Sequence, residues 1–212
     1  MNDILKKVFA WMCAGLLLTF ATGYIVSINS NMVERIFTPS NVLILAIIEI
    51  VLVLFLSIRV TKMNPTTARI MFLLYSFVTG LTFSSIFIAY EMSSIISIFL
   101  ITAVVFGILS FLGYTTNIDL SKFGIYLTIG LFAIIIVAII NIFIGSSTLD
   151  MAISCISIFI FLGFTAYDIQ KINQLSNYID EDNLAIYGAL QLYLDFINIF
   201  IDLLRLFGNS RD

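Results

Sequence analysis

The sequence predicts an all-α membrane protein: a single bundle of seven helices crossing a lipid bilayer. Three observations predict it. Hydrophobic residues make up 61% of the 212 residues and charged residues only 11%, where a soluble domain carries about a quarter. The mean hydropathy is +1.12. Apolar runs recur along the whole chain with short polar breaks, and most approach or exceed the roughly 20 residues that a helix needs to cross the hydrocarbon core. So few charges cannot cover a water-facing surface, so lipid is the expected solvent. The length fits one domain, 1–212.

The first run spans Val8 to Ile28 behind Lys6 and Lys7. It is longer than the apolar core of a signal peptide and lacks a small-residue cleavage site, so an uncleaved span is expected. The second run covers Val42 to Val60, with Thr38-Pro39-Ser40-Asn41 ahead of it. The third covers Ile70 to Tyr90. Asn64-Pro65-Thr66-Thr67 precedes it, with Asn64 placed to cap and Pro65 at the first helical position. The fourth and fifth run from Met92 to Tyr114 and from Phe123 to Ile144. The sixth starts near Met151 and fades into polar sequence after Tyr167, reaching about Gln174. The seventh runs from Leu184 to Phe207 behind Asp180-Glu181-Asp182-Asn183, acidic residues that suit a helix amino end.

The net charge of −3 and the absence of a basic patch leave no footprint for nucleic acid. The chain has no histidine, which removes the usual zinc ligand and the usual catalytic base. Any response to pH must then come from carboxylates. Cys13 and Cys155 lie inside apolar runs and are expected to be buried small residues without a disulfide. With the amino terminus cytoplasmic, seven Lys and Arg residues fall inside and three (Arg35, Arg205 and Arg211) outside. The positive-inside rule therefore expects a cytoplasmic amino terminus and an extracytoplasmic carboxyl terminus in the cell membrane.

Charges within the spans are few, and a charge at the bilayer centre usually faces a partner or water. They are Glu49, Asp168, Asp195, Asp202 and Arg205, with Arg59 at the end of span two. In span seven Gly188, Gln191, Asp195, Asn198, Asp202, Arg205 and Asn209 follow at spacings of three and four, which puts them on one helix face. Span seven is therefore expected inside the bundle. The stripe is either a structural polar seam between helices or a functional one, and two carboxylates are more than packing requires. The midpoint between Asp168 and Asp195 falls between Glu181 and Asp182, in the expected polar turn. If span six continues as helix through Lys171 and Gln174, the two aspartates lie at one height, where they would share a proton; rotated helices would instead keep them apart. Arg59 is the nearest candidate cation for the pair, or else a snorkelling residue at a span end. Glu49 lies roughly 15 Å along the same helix, hydrogen-bonded in the bundle or lining a cation path.

Gly163-Phe164-Thr165-Ala166-Tyr167-Asp168-Ile169-Gln170-Lys171-Ile172 resembles the signature of the transmembrane Bax inhibitor motif family. Leu192-Tyr193-Leu194-Asp195-Phe196-Ile197-Asn198, followed by Leu203-Leu204-Arg205, resembles that family's last helix. The order and number of spans match over nearly the whole chain, and bacterial members are the most similar. The resemblance implies a seven-helix fold with the last helix central, wrapped by the others, and a pH-sensitive calcium leak. It implies an aspartate pair, here Asp168 and Asp195, latched by an arginine late in helix two, here Arg59, with Glu49 matching a mid-helix glutamate. Asp202 departs from the pattern, since bacterial relatives often carry a neutral residue there. The cell-death role of animal members is not implied for a short chain without an added tail.

Three functions compete. A calcium leak channel would be held closed at low pH by the shared proton and Arg59. Once deprotonated it would offer Asp168 and Asp195 as oxygen ligands to calcium, a hard cation. A proton-coupled transporter would use the same acids as a relay, although no inverted repeat is visible. An intramembrane protease is disfavoured, because there is no Ser–His pair and no Gly-x-Gly-Asp element before Asp195. A retinal protein would need a lysine in span seven, and there is none. No enzyme activity and no cofactor are expected. Calcium enters as the transported ion, protons and the lipid bilayer are the other partners, and a single chain is the expected unit.

Overall fold

The structure, a computed structural model, describes residues 3–211; Met1, Asn2 and Asp212 lie outside the described residues. The chain is all-α. Its helices are α1 (Asp3–Ser27), α2 (Ser30–Ile36), α3 (Pro39–Arg59), α4 (Pro65–Ala89), α5 (Met92–Thr115), α6 (Ser121–Ile144), α7 (Ser147–Leu175) and α8 (Glu181–Phe207). All except α2 are long and apolar enough to cross a membrane. Each of the seven expected spans is there, and most start a few residues earlier than hydropathy alone puts them, because polar residues begin the helices. Asn64 Oδ1 accepts from the Thr66 amide at 2.9 Å and Pro65 opens α4. Pro39 likewise opens α3. Asp119 Oδ1 accepts from the Ser121 amide at 3.0 Å ahead of α6, and its bonds to Ser121 hold the Asp119 carboxyl below the ordinary aspartate range. Glu181 and Asp182 form the first turn of α8, where negative charge meets the positive end of the helix dipole.

Two features differ from expectation. The segment between the first two spans is not all loop: Asn29 accepts from the Met32 amide at 3.2 Å and starts the seven-residue α2. Cys13 and Cys155 are exposed, not buried. An apolar run in a membrane helix has a lipid-facing side as well as a packed one, so apolar neighbours do not imply burial.

The chain forms two compact units. The first takes the chain up to Glu91, Leu175–Tyr193 and the residues from Ser210. In it α1 packs on α4, and α3 on α4. A Cβ on Gly80 would lie 2.6 Å from Thr22 Cβ and 2.9 Å from the Thr19 carbonyl oxygen, so α1 and α4 meet at a distance only glycine permits. The first half of α8 is enclosed: Asn183 through Leu190 are all buried. Tyr193 lies edge-on to Phe72 and Tyr75, with centroids 5.8 and 5.9 Å away. Its hydroxyl is 2.6 Å from Thr19 Oγ1, which itself donates to the Ser76 carbonyl at 2.8 Å. Thr19 has one hydroxyl proton, so Tyr193 is the donor of the pair. The acidic start of α8 is tied to its neighbours by Lys7–Glu181 at 3.0 Å, Arg69–Asp182 at 2.8 Å and an Asn183 amide bond to the Met63 carbonyl at 2.9 Å.

The second unit holds Met92–Gln174 and Leu194–Asn209. Phe196 of α8 packs against Phe99 and Phe106 of α5 at 5.2 and 5.6 Å. Asn141 closes the α6–α7 turn, donating to Asp150 Oδ1 at 2.6 Å and to the Ser146 carbonyl at 3.1 Å. α5 and α7 touch at Gly113, where a Cβ would stand 2.5 Å from the Ala166 carbonyl oxygen and 2.8 Å from its Cα. Of the seven spans α8 is the most enclosed, with 78% of its apolar window buried against 6% for α3 and α6.

Gly113→Ala is expected to destabilise the detergent-solubilised protein by about 1–3 kcal/mol, because the obstacle is backbone that cannot rotate away. Gly107 on the same helix has nothing within 4 Å of its missing Cβ. Gly107→Ala should therefore leave the thermal midpoint unchanged or slightly raised, and equal midpoints for the two variants would refute this account of the α5–α7 contact.

Candidate functional site

Residues of α7 between Gly163 and Ile172 meet several different surfaces. A Cβ on Gly163 would lie 2.8 Å from Leu127 of α6, so this position is tight. Ala166 receives α5 at Gly113. The Tyr167 ring fills the place a side chain at Gly124 would take, its Cζ 2.6 Å from that missing Cβ, and Lys171 Nζ lies 5.4 Å from the same ring. Ile169 and Ile172 are fully buried. The turn that faces α8 carries Thr165 and Asp168.

Asp168 and Asp195 are 5% and 4% exposed, as buried as the core around them, and both belong to the second unit. They lie close enough to act on each other electrostatically, with Thr165 beside Asp195. Asp195 Oδ2 has no hydrogen-bond partner among the described residues. A buried carboxylate oxygen without a partner is rare, because an unsatisfied polar group loses its hydration with nothing in exchange. Among the described residues no three His, Cys, Asp or Glu side chains converge on a metal position. A calcium ion takes six to eight oxygens, so the pair alone could hold one only loosely, alongside water or main-chain oxygens.

The turn between α7 and α8 is shorter than the sequence predicts. α7 does continue through Lys171 and Gln174, but Glu181 and Asp182 are already in α8, and the connection is Ser176 to Asp180. The midpoint of the aspartate pair therefore falls at the start of a helix, not in the turn. The connection ends in a capping residue, Asp180, whose Oδ2 accepts from the Asn183 amide at 3.4 Å, and capping moves the helix start into the polar sequence.

The other candidates are engaged elsewhere. Gln191 and Asn198 are half-buried, and the Asn198 amide donates back to the Leu194 carbonyl of its own helix at 2.7 Å. Asp202 is 7% exposed with Ser154 and Ser157 of α7 beside it, and Arg205 Nη1 lies 3.6 Å from its Oδ1. The same Arg205 nitrogen donates to Ser154 Oγ at 3.1 Å. Asp202 thus has partners within its unit where Asp195 Oδ2 has none. Glu49 and Arg59 are in the first unit: half-buried Glu49 accepts from Thr82 Oγ1 of α4 at 3.3 Å, and exposed Arg59 ends α3.

Gln170 stands in the α7 motif without a role that the sequence assigns to it. Its Oε1 accepts from the Leu120 amide at 2.8 Å and its Nε2 donates to the Ile118 carbonyl at 2.9 Å. It clamps the α5–α6 connection two residues beyond Asp168, and its place in the Tyr-Asp-x-Gln run was the only available signal. Gln170→Leu keeps the volume and removes both bonds, at about 1 kcal/mol each. Amide hydrogen exchange at Leu120 should then speed up about tenfold, and an unchanged rate would show that the connection is held by something else.

The whole chain, residues 1–212, matches the family described as "Inhibitor of apoptosis-promoting Bax1". It is 42% identical to "Inner membrane protein YbhL" of Escherichia coli strain K12 over 218 residues, which cover 100% of this chain and 93% of that protein. It is also 42% identical to an uncharacterized protein of Borreliella burgdorferi, covering 100% of this chain and 94% of the relative. An uncharacterized protein of Deinococcus radiodurans is 36% identical, covering 100% and 92%. Seven spans, the α7 and α8 motifs and these matches along the full length agree: the chain is a multi-pass membrane protein and belongs to the Bax inhibitor family.

Proposed function

We propose that the protein is a pH-sensitive calcium leak channel of the cell membrane, gated by a proton shared between Asp168 and Asp195. One observation carries this reading: two buried aspartates sit within electrostatic reach of each other inside membrane-length helices, and one oxygen of the pair lacks a partner. Two adjacent carboxylates in a dry interior compete for one proton. With the proton bound, the pair is nearly self-satisfied and the path is shut. Its loss leaves two adjacent negative groups that a divalent cation neutralises. The loose coordination available there suits an ion in transit. Asp202, held by Arg205 and Ser154, lies seven residues from Asp195 on the same helix, about 10 Å along it, and extends the polar face. The latch role of Arg59 rests on the family resemblance and its place at the end of span two, and the cation-path role of Glu49 on its place within that span. The excess of Lys and Arg in the segments that share a side with Lys6 and Lys7 supports a cytoplasmic amino terminus.

Calcium flux from proteoliposomes of the purified protein should rise with pH across the titration of the pair, by at most about tenfold per pH unit for a single proton. Asp195→Asn and Asp168→Asn should each remove that pH dependence, and Arg59→Gln should raise the flux at low pH. Wild-type vesicles no leakier than empty ones would overturn the channel. Saturable uptake driven by a pH gradient would point to a transporter instead.

A further inference from the structure

A hollow of about 240 Å³ opens among α2, α3 and α4 within the first unit, far in sequence from the aspartate pair. Ile36, Ile44, Leu45 and Leu81 form its apolar wall, and Arg35 and Asn41 supply its polar lining. The Asn41 amide donates to the Arg35 carbonyl at 2.6 Å, which pins the chain at Arg35. Among the described residues no carboxylate pairs with the Arg35 side chain. The hollow sits where the chain passes from α1 to α3, and the polar residues Ser30, Asn31, Glu34 and Ser40 mark this break between two spans. Such breaks lie at headgroup depth. α3 itself is almost wholly exposed, so lipid reaches the hollow directly.

We infer that this hollow binds a phospholipid, with the phosphodiester at the Arg35 guanidinium and the start of an acyl chain along Ile44, Leu45 and Leu81. Charge and apolarity complement that occupant together. An arginine without a carboxylate partner at this depth offers paired N–H donors to phosphate oxygens, and the wall below it offers nothing but hydrocarbon. A free phosphate ion would leave the wall wet, and a diglyceride would leave the cation unmatched. Snorkelling alone accounts for an exposed arginine at a span end but not for the apolar hollow it lines.

Native mass spectrometry of the full chain from a neutral detergent, with dioleoylphosphatidylglycerol added, tests this. The wild type should retain the lipid. Arg35→Gln should retain about tenfold less, the factor one charge-assisted hydrogen bond supports. Leu81→Trp, which fills the hollow and spares the cation, should lose the lipid similarly. Arg69→Gln, at an arginine already paired with Asp182, should behave as wild type. Neither dioleoylglycerol nor glycerol phosphate should displace the bound lipid. Equal retention by wild type and Arg35→Gln would overturn the site, as would loss in Arg35→Gln with full retention in Leu81→Trp, which would mark a surface charge and no pocket. If Arg35→Gln fails to fold, the Leu81→Trp arm and the two competitors decide.

Discussion

Lipid offers no hydrogen bonds, and that one fact disciplines every polar group in the chain. Main-chain groups satisfy themselves by forming helices. Serine and threonine hydroxyls within the spans mostly bond back to their own helix, as Ser76 does to Phe72 at 3.0 Å, Thr102 to Ile98 at 2.8 Å and Thr165 to Phe161 at 2.8 Å. A side chain satisfied in this way asks nothing of its neighbours, and close packing at Gly80 and Gly113 joins the helices instead. Thr79 Oγ1 and Ser110 Oγ are buried in the spans without a partner, as is Asp195 Oδ2, and of these the carboxylate oxygen is the costliest to leave so.

Much of this was legible in the sequence, because membrane helices are simple to read. Length, hydropathy and the polar breaks located seven spans, and Asn64-Pro65 marked the start of α4. The stripe on the last span signalled its enclosure, although the structure adds that its apolar faces are enclosed as well: Leu184, Ile186, Leu190, Leu192 and Phe200 are all fully buried. What could not be read was which side of each apolar helix meets protein. Leu, Ile and Phe serve equally against lipid and against other helices, so Cys13 and Cys155 were misplaced. Seven-residue α2 was invisible for a different reason: so short a helix depends on its cap and its packing against α1 and α3, not on periodicity.

The α7 motif illustrates how one stretch of helix carries several constraints. Within seven residues Gly163, Ala166 and Tyr167 fit three close approaches, Thr165 and Asp168 face α8, and Ile169 fills the core. Gln170 at the next step holds a connection between two other helices. A helix has roughly 3.6 residues per turn, so seven consecutive residues cover all of its faces about twice. A motif of this density fixes the position of its aspartate from every side at once. The proposed proton switch would depend on such positioning, since the interaction between two carboxylates is strong and depends on their separation where the dielectric is low.

The buried acids of the second unit differ in what surrounds them. Asp202 has a guanidinium from its own helix and hydroxyls from α7 around it, so it is provided for without an added partner. Asp195 has a threonine and another aspartate, and the second of these worsens the electrostatics when both are charged. The same residue type on the same helix face, seven positions apart, thus sits in two different surroundings. Neither hydropathy nor charge count separates them. The difference lies in what α7 presents at each level: Ser154 and Ser157 opposite Asp202, and Thr165 and Asp168 opposite Asp195. The three-residue step between the serines and between Thr165 and Asp168 keeps each pair on the face of α7 turned toward α8. One helix therefore carries an acid with a guanidinium and hydroxyls around it and, two turns away, an acid whose second oxygen has no partner among the described residues.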